Sequence, residues 1–301
     1  MNWSGVLPAI TTPFDGQLLV DHSALASHVA WLVDEGCHGI IPLGSLGEAS
    51  TLSFAEKLEV LRTCVRAVDG RVPIVGGIAA LSTAEALELA REAQRAGCAG
   101  LMVLPPYVYR GDERETETHF DALISATPLP CMLYNNPIAY GVDVLPSRVV
   151  ELTKRHPNLR AVKESSGDIR RIAELRRLLG DRIAIFAGLD DLAMEAFDAG
   201  AVGWVAGLVN ALPRETVELY TLIKNGDRTS ARELYDWFLP LLGLDTKPKF
   251  IQLIKLVQAE CGRGTTRVRP PRLELAGDEL AVTLEAIRHG LKHRAMQGSM
   301  K

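Results

Sequence analysis

Long apolar runs, basic clusters and paired cysteines are all missing from this chain, and each absence removes a class of function. No lysine- or arginine-rich block stands out among 33 basic and 37 acidic side chains, whose formal net charge is -4. A nucleic-acid groove or an anionic membrane surface therefore has no electrostatic footprint here. No stretch approaches the roughly 18 consecutive apolar residues of a membrane span. The opening MNWSGVLPAITTPF lacks the basic region ahead of an apolar one that marks a targeting segment. The five cysteines (Cys37, Cys64, Cys98, Cys131 and Cys261) are odd in number and widely spaced, with no CxxC pair and no zinc-type histidine spacing. A reduced, cytosolic protein is expected.

What is present is a repeated alternation. Short apolar runs, each closing on small, polar or Gly/Pro residues, are followed by helix-period segments. The strand candidates are GVLPAITT, GIIPLGS, VPIVGGIA, GLMVLPP, PCMLYNN, LRAVKES, RIAIFAGL and VGWVAGLV. Their near-continuous hydrophobicity suits parallel strands buried on both faces. About eight βα units, with no GxGxxG after the first strand, favour an α/β fold of the closed (β/α)8 TIM-barrel type over an open doubly wound sheet. Ser53 with Glu56 and Ser82 with Glu85 have capping-box spacing, and Gly36 and Gly97 close helices. After the eighth strand helix follows helix, so the expected division is a barrel over 1–226 and a helical segment over 227–301 packed on it. The closing AMQGSMK reads as a frayed end.

A barrel of this kind works at the C-terminal ends of its strands. Those ends carry Thr11, the GSLGE loop at Gly44 to Glu48, Tyr107, Tyr134 with Asn135 and Asn136, Lys163, Gly188 with Asp190 and Asp191, Val205, and Asn210. Lys163 is the unusual one, a charged group inside a buried strand. Burial favours the neutral amine, which can attack a carbonyl and form an imine. The bland alternative pairs it with Glu164 for packing. Lys255, in IQLIKLVQ, is the nearest competitor, but a helical lysine can snorkel to solvent. Tyr134 in YNNP could move a proton at an imine or carbinolamine, or simply pack. In GSLGE, the Ser45 hydroxyl and the N–H groups between Gly44 and Gly47 could cradle a carboxylate, or form an ordinary turn. Asp190 and Asp191 would repel phosphate and suit hydroxyl groups, or Asp191 could cap the next helix.

Lys163 in AVKESSGD, Tyr134 in YNNP and the GSLGE loop, together with GVLPAITTPF at the start, resemble the dihydrodipicolinate synthase/N-acetylneuraminate lyase family over nearly the whole chain. The resemblance implies a (β/α)8 barrel with a C-terminal helical appendage, a homotetramer or dimer, and chemistry that needs no metal or organic cofactor. It further implies a Lys163 Schiff base with pyruvate or a longer 2-keto acid, proton relay by Tyr134, and carboxylate binding by Ser45 and the Leu46 N–H, with Thr11, Gly44, Gly47, Tyr107 and Val205 around them. Four positions depart from the members that condense pyruvate with aspartate semialdehyde: Ser45-Leu46 stands for Thr-Thr, Val108 for a tyrosine, and Ala139 for an arginine. Tyr109 is a nearby substitute for the lost phenol. Losing the arginine removes a bidentate partner for a second carboxylate, which points away from that synthase activity. The acidic pair after Gly188 is similar to that of the sialic-acid lyases, yet Ala206 stands where those carry serine. A short hydroxylated 2-keto acid is therefore expected, undergoing dehydration, deamination or aldol cleavage. A non-catalytic barrel that binds a keto acid, and a phosphosugar aldolase, remain the competing classes.

Overall fold

In the computed structural model the backbone is described for residues 1–298 and side chains through Lys292, so the frayed-end expectation for residues 295–301 falls outside the described side chains. Seven parallel strands form one sheet: β1 (Gly5–Pro8), β2 (Val75–Ile78), β3 (Gly100–Val103), β4 (Cys131–Asn135), β5 (Leu159–Glu164), β6 (Ala184–Ala187) and β7 (Gly203–Ala206), in the order β1-β7-β6-β5-β4-β3-β2. The one remaining predicted strand, the second, is the GIIP segment, residues 39–42, which joins the two edges. On one side His38 N and Ile41 N donate to Val6 O and Pro8 O; on the other Ile40 N donates to Pro73 O, and Val75 N and Gly77 N donate to Ile40 O and Pro42 O. Isolated bridges Ala9↔Ile41 and Ile40↔Ile74 mark the same closure. Pro8, Pro42 and Pro73 have no N–H to donate, so this corner of the ladder is sparse. The barrel is complete nonetheless, and the sixth predicted strand is β5.

Helices occupy the expected segments. In Phe54–Val68 the Ser53/Glu56 capping box is formed in both directions. Before Thr83–Arg95 only half of it forms: Ser82 accepts from Glu85 N, while the Glu85 carboxylate turns to Lys57 Nζ at 3.0 Å. A stronger charged partner has displaced the box. Gly36 and Gly97 have φ of 94° and 97°, the left-handed geometry that ends a helix.

Two concentric cores result. Inside the barrel lie Leu7, Val75, Met102, Met132, Ala161, Phe186 and Val205, with Trp3 at one end and Tyr134 at the other. Between strands and helices lies the larger shell, which includes Trp204, Phe120, Leu133 and Val162. Each large apolar side chain so buried contributes on the order of 2 kcal/mol. Val205 faces the barrel interior, register-paired with Leu7 and 1% exposed. Ala206, its neighbour, faces the helices.

Past Pro213–Lys224 come the helices Arg228–Leu242, Phe250–Glu260 and Gly277–Gly298. Lys255, on the second of these, does not snorkel. It is 2% exposed, its Nζ pairs with Glu48 Oε1 at 2.5 Å, and it donates to Thr12 O and Arg267 O. Glu48 is wholly buried and also accepts from Arg269 N at 3.0 Å. This pair clamps the C-terminal helices to the GSLGE loop. Breaking one partner of such a pair leaves a buried, uncompensated charge. We expect Lys255→Met to lower the unfolding free energy by about 3 kcal/mol or more, read from urea titration, with part of the loss recovered on adding Glu48→Gln. A single-variant loss under about 1 kcal/mol would show the clamp to be dispensable.

Candidate active site

Successive side chains of a strand point to opposite faces, so Lys163 and Glu164 cannot meet. Glu164 turns outward, where Oε2 accepts from Asn135 Nδ2 at 3.0 Å and Oε1 from Ser166 N at 2.6 Å. That removes the packing pair as an explanation of Lys163. The lysine enters the barrel at 6% exposure, its Nζ 4.3 Å from the centroid of the Tyr134 ring on the neighbouring strand, and it makes no ion pair among the described residues. Gly188 makes the room. Its amide continues the ladder to Glu164 O, and a Cβ there would stand 2.9 Å from Lys163 Cγ and 2.0 Å from Ser165 Oγ. The Ser165 hydroxyl is buried with no partner among the described residues.

Tyr134 closes β4, its hydroxyl accepting from Asn136 Nδ2 at 2.9 Å. Asn136 also caps the single helical turn Pro137–Tyr140 through Ala139 N at 2.9 Å. That turn carries a residue the sequence reading missed. Tyr140 packs edge-on against Tyr134, with centroids 5.7 Å apart, and lies 5.6 Å from Tyr107. Its hydroxyl shares a short hydrogen bond with Ser45 Oγ. Burial pushes the Tyr107 phenol up to about 12, with the Tyr140 hydroxyl partly opposing, and also raises Tyr140 well above the ordinary phenol value, helped by the two neighbouring phenols. Both stay protonated donors near neutral pH. Tyr109 plays no such part: it is exposed and donates to Glu115. Val108 is 90% exposed with φ of 72°, a strained backbone for a β-branched residue. The signal for Tyr140 lay in NNPIAYG, where an Asn cap, Pro at the first position and a left-handed Gly141 specify one helical turn.

The GSLGE loop is bracketed by two left-handed non-glycine residues, Leu43 (φ 64°) and Glu48 (φ 54°). Gly47 N and Glu48 N bond back to Gly44 O and Ser45 O. The N–H groups of Ser45 and Leu46 make no hydrogen bond among the described residues and remain available to an anion. A Cβ at Gly47 would sit 3.0 Å from Ile10 O, so the glycine lets the loop lie on the first strand.

The remaining candidates divide. Thr11 reaches the rim, but its N–H donates to Asn210 Oδ1 and its hydroxyl to Gln258 Oε1. Ala139 is exposed on the Pro137–Tyr140 turn. Asp190 is a correction: it is fully buried, and its carboxylate accepts from Trp204 Nε1 at 2.8 Å, from Gly207 N at 3.0 and 3.2 Å, and from Leu208 N at 2.7 Å. Those bonds tie β6 to β7 and leave little for a ligand. Burial still raises its pKa to about 6 against these bonds and the nearby Lys163. Asp191 does not cap the following helix, because Oδ2 accepts from Thr246 Oγ1 at 3.0 Å instead.

The grouping therefore combines an amine with no ion pair among the described residues, the buried Tyr134 phenol, two half-buried phenols near a serine hydroxyl, and free backbone donors. Such a set can bind a carboxylate and attack the adjacent carbonyl. Gly188→Ala should disturb it most directly, since its methyl needs the space of Lys163 Cγ. We expect at least about tenfold slower carbonyl trapping at Lys163 and about 1–3 kcal/mol lower stability. Unchanged trapping, by mass spectrometry of borohydride-reduced protein, would show that the lysine stem has free room.

A family model described as the dihydrodipicolinate synthetase family matches residues 2–289. The 4-hydroxy-tetrahydrodipicolinate synthase of Pelobacter propionicus is 34% identical over 290 residues, covering 95% of this chain and 97% of the relative. That of Agrobacterium fabrum is 32% identical over 294 residues, covering 98% and 99%. Among solved structures, the 4-hydroxy-tetrahydrodipicolinate synthase from Methylacidiphilum fumariolicum SolV superposes with a TM-score of 0.91 at 30% identity, over 97% of this chain and 98% of that one. YagE, a prophage protein of the dihydrodipicolinic acid synthase family from E. coli K12 solved in complex with pyruvate, gives 0.90 at 26% identity, over 96% and 99%.

Proposed function

The chain belongs to the dihydrodipicolinate synthetase family and is accordingly a Schiff-base-dependent lyase, a premise from which we propose that Lys163 is its imine-forming residue and a short hydroxylated 2-keto acid its substrate. The observation that carries the assignment is the buried, unpaired Lys163 Nζ beside Tyr134 at the barrel mouth. The solved pyruvate complex of YagE supports a 2-keto acid as the class of ligand.

In the proposed reaction the substrate carboxylate sits on Ser45 and the N–H groups of Ser45 and Leu46. The neutral amine of Lys163 attacks C2, and the carbinolamine loses water to give an imine. Once protonated, the imine withdraws electrons from C3. Either C3 then loses a proton and a C4 hydroxyl leaves as water, or the C3–C4 bond breaks, giving an aldehyde and the pyruvate enamine, which is reprotonated at C3. Hydrolysis regenerates Lys163. Tyr134 carries protons at the reacting carbons, and the Ser45–Tyr140 hydrogen bond offers a path onward, with Tyr107 beside it. Pyrroline carboxylates bearing a hydroxyl are open to the same imine chemistry, with deamination in place of simple hydrolysis.

A second reading, condensation of pyruvate with aspartate semialdehyde, is favoured by one contact. The Arg110 guanidinium lies against Gly141, where a Cβ would be 2.5 Å from its Nε, and could hold a second carboxylate in place of the arginine missing at Ala139. We also propose a cytoplasmic homotetramer or dimer in which residues 227–301 are a helical appendage to the 1–226 barrel. Exposed Leu81, Val108 and Ile138, on the loops after three adjacent strands, offer an apolar surface for assembly.

Pyruvate with borohydride should leave a reduced adduct on Lys163 of the wild type and none on Lys163→Arg; a wild type without adduct refutes the assignment. Tyr134→Phe should lower kcat on 2-keto-3-deoxy sugar acids by about 10²-fold or more, and Tyr140→Phe by less, because it acts through Ser45. Aspartate semialdehyde with pyruvate should turn over poorly, and fast turnover would favour the Arg110 reading.

A further inference from the structure

Asp245 lies in the turn between the helices Arg228–Leu242 and Phe250–Glu260, outside every motif singled out above. Its carboxyl rests on the backbone of Gly207, at the mouth end of β7. A Cβ at residue 207 would stand 2.0 Å from Oδ1, 2.5 Å from Cγ and 2.9 Å from Oδ2. Gly207 has φ of -101°, which any residue adopts, so the closeness of the carboxyl and not the backbone angle requires glycine.

Gly207 N–H is the donor that holds Asp190, so two carboxyl groups flank one residue. They differ in what they bond. Asp190 is spent on Trp204, Gly207 and Leu208, whereas the Asp245 carboxyl makes no hydrogen bond among the described residues; only its N–H is engaged, with Leu242 O at 3.1 Å. The turn that carries it is nevertheless fixed. Thr246 Oγ1 donates to Asp191 Oδ2 at 3.0 Å, and the Tyr235 hydroxyl donates to Asp191 O at 2.5 Å. A rigidly mounted acid without a protein partner, beside the catalytic end of a barrel, is placed to meet a ligand.

Its chemistry narrows the ligand. Burial raises the Asp245 pKa well above the ordinary carboxyl value, reinforced by Asp190 and Asp191 and opposed by Lys163. A carboxyl accepts from a hydroxyl when ionised and can also donate to it when protonated, so a hydroxyl group matches it in either state. A phosphate or second carboxylate would meet three acidic side chains instead.

We propose that Asp245 is a specificity-determining residue that binds a hydroxyl on the substrate's carbon chain beyond the keto group. The inference rests on the assignment of Lys163, and its test separates the two. Borohydride trapping at Lys163 is titrated with 2-oxobutanoate and with 4-hydroxy-2-oxobutanoate, which differ by one hydroxyl. The wild type should half-saturate at about tenfold lower concentration with the hydroxylated acid. Asp245→Leu, similar in shape, should bring the two within twofold while 2-oxobutanoate still traps as in the wild type. Asp245→Asn, which also donates and accepts, should keep most of the preference. Equal half-saturation in the wild type, or a preference that survives Asp245→Leu, overturns the inference. If the leucine variant does not fold, Asp245→Ala is held to the same ratio. Absence of an adduct with either acid overturns the Lys163 assignment and this inference with it.

Discussion

The site depends on a two-residue period. Along a strand of a closed parallel barrel one side chain enters the interior and the next faces the helices. In β5 that rule admits Ala161 and Lys163 and turns out Val162 and Glu164. Register then sets the neighbours: Lys163 pairs with Tyr134 on one side and Phe186 on the other. A slip of one residue would send Glu164 inward and put the amine among the helices, where Asn135 and Ser166 now hold a carboxylate.

Three of the described lysines are deeply buried at this end of the barrel, and their surroundings differ: Lys57 has Glu85 and the Ala79 carbonyl oxygen. Lys255 has Glu48 and two carbonyl oxygens, so its charge is compensated within the fold. Lys163 has an aromatic face, the Gly188 backbone and more distant carboxyls, among them Asp190 and Asp245. A buried cation without close partners is costly, and a group kept in that condition is a candidate for chemistry rather than for stability. Gly188 and Gly207 serve this arrangement in the same way. Each lacks a side chain because a functional group of another element occupies its place.

The barrel was legible because its strands are continuous apolar runs, a signal that survives without knowledge of partners. Lys163, Tyr134 and Ser45 could be singled out because all three fall at or just past the ends of predicted strands. What escaped depends on long-range contacts. Asp190 reads as a solvent-facing acid until Trp204, fourteen residues on, is seen to reach back to it. Lys255 sits on a helix whose stripe resembles any amphipathic surface, and nothing near it in sequence announces Glu48. Tyr140 was the recoverable omission, since its turn is written in local capping residues.

The C-terminal helices look dispensable to a barrel already closed by eight segments, yet their polar side chains converge on the mouth. Gln258 holds Thr11, Lys255 holds Glu48, Thr246 holds Asp191, and Asp245 covers Gly207. These contacts fall on the loops after the first, second, seventh and eighth barrel segments, the side of the mouth away from Tyr134 and Tyr140. The division of labour follows from that geometry. The strands position Lys163, Tyr134 and the neighbouring Tyr140, while the appended helices shape the opposite wall of the mouth. The two walls meet through backbone, and Lys163 is within electrostatic reach of Asp245 across them.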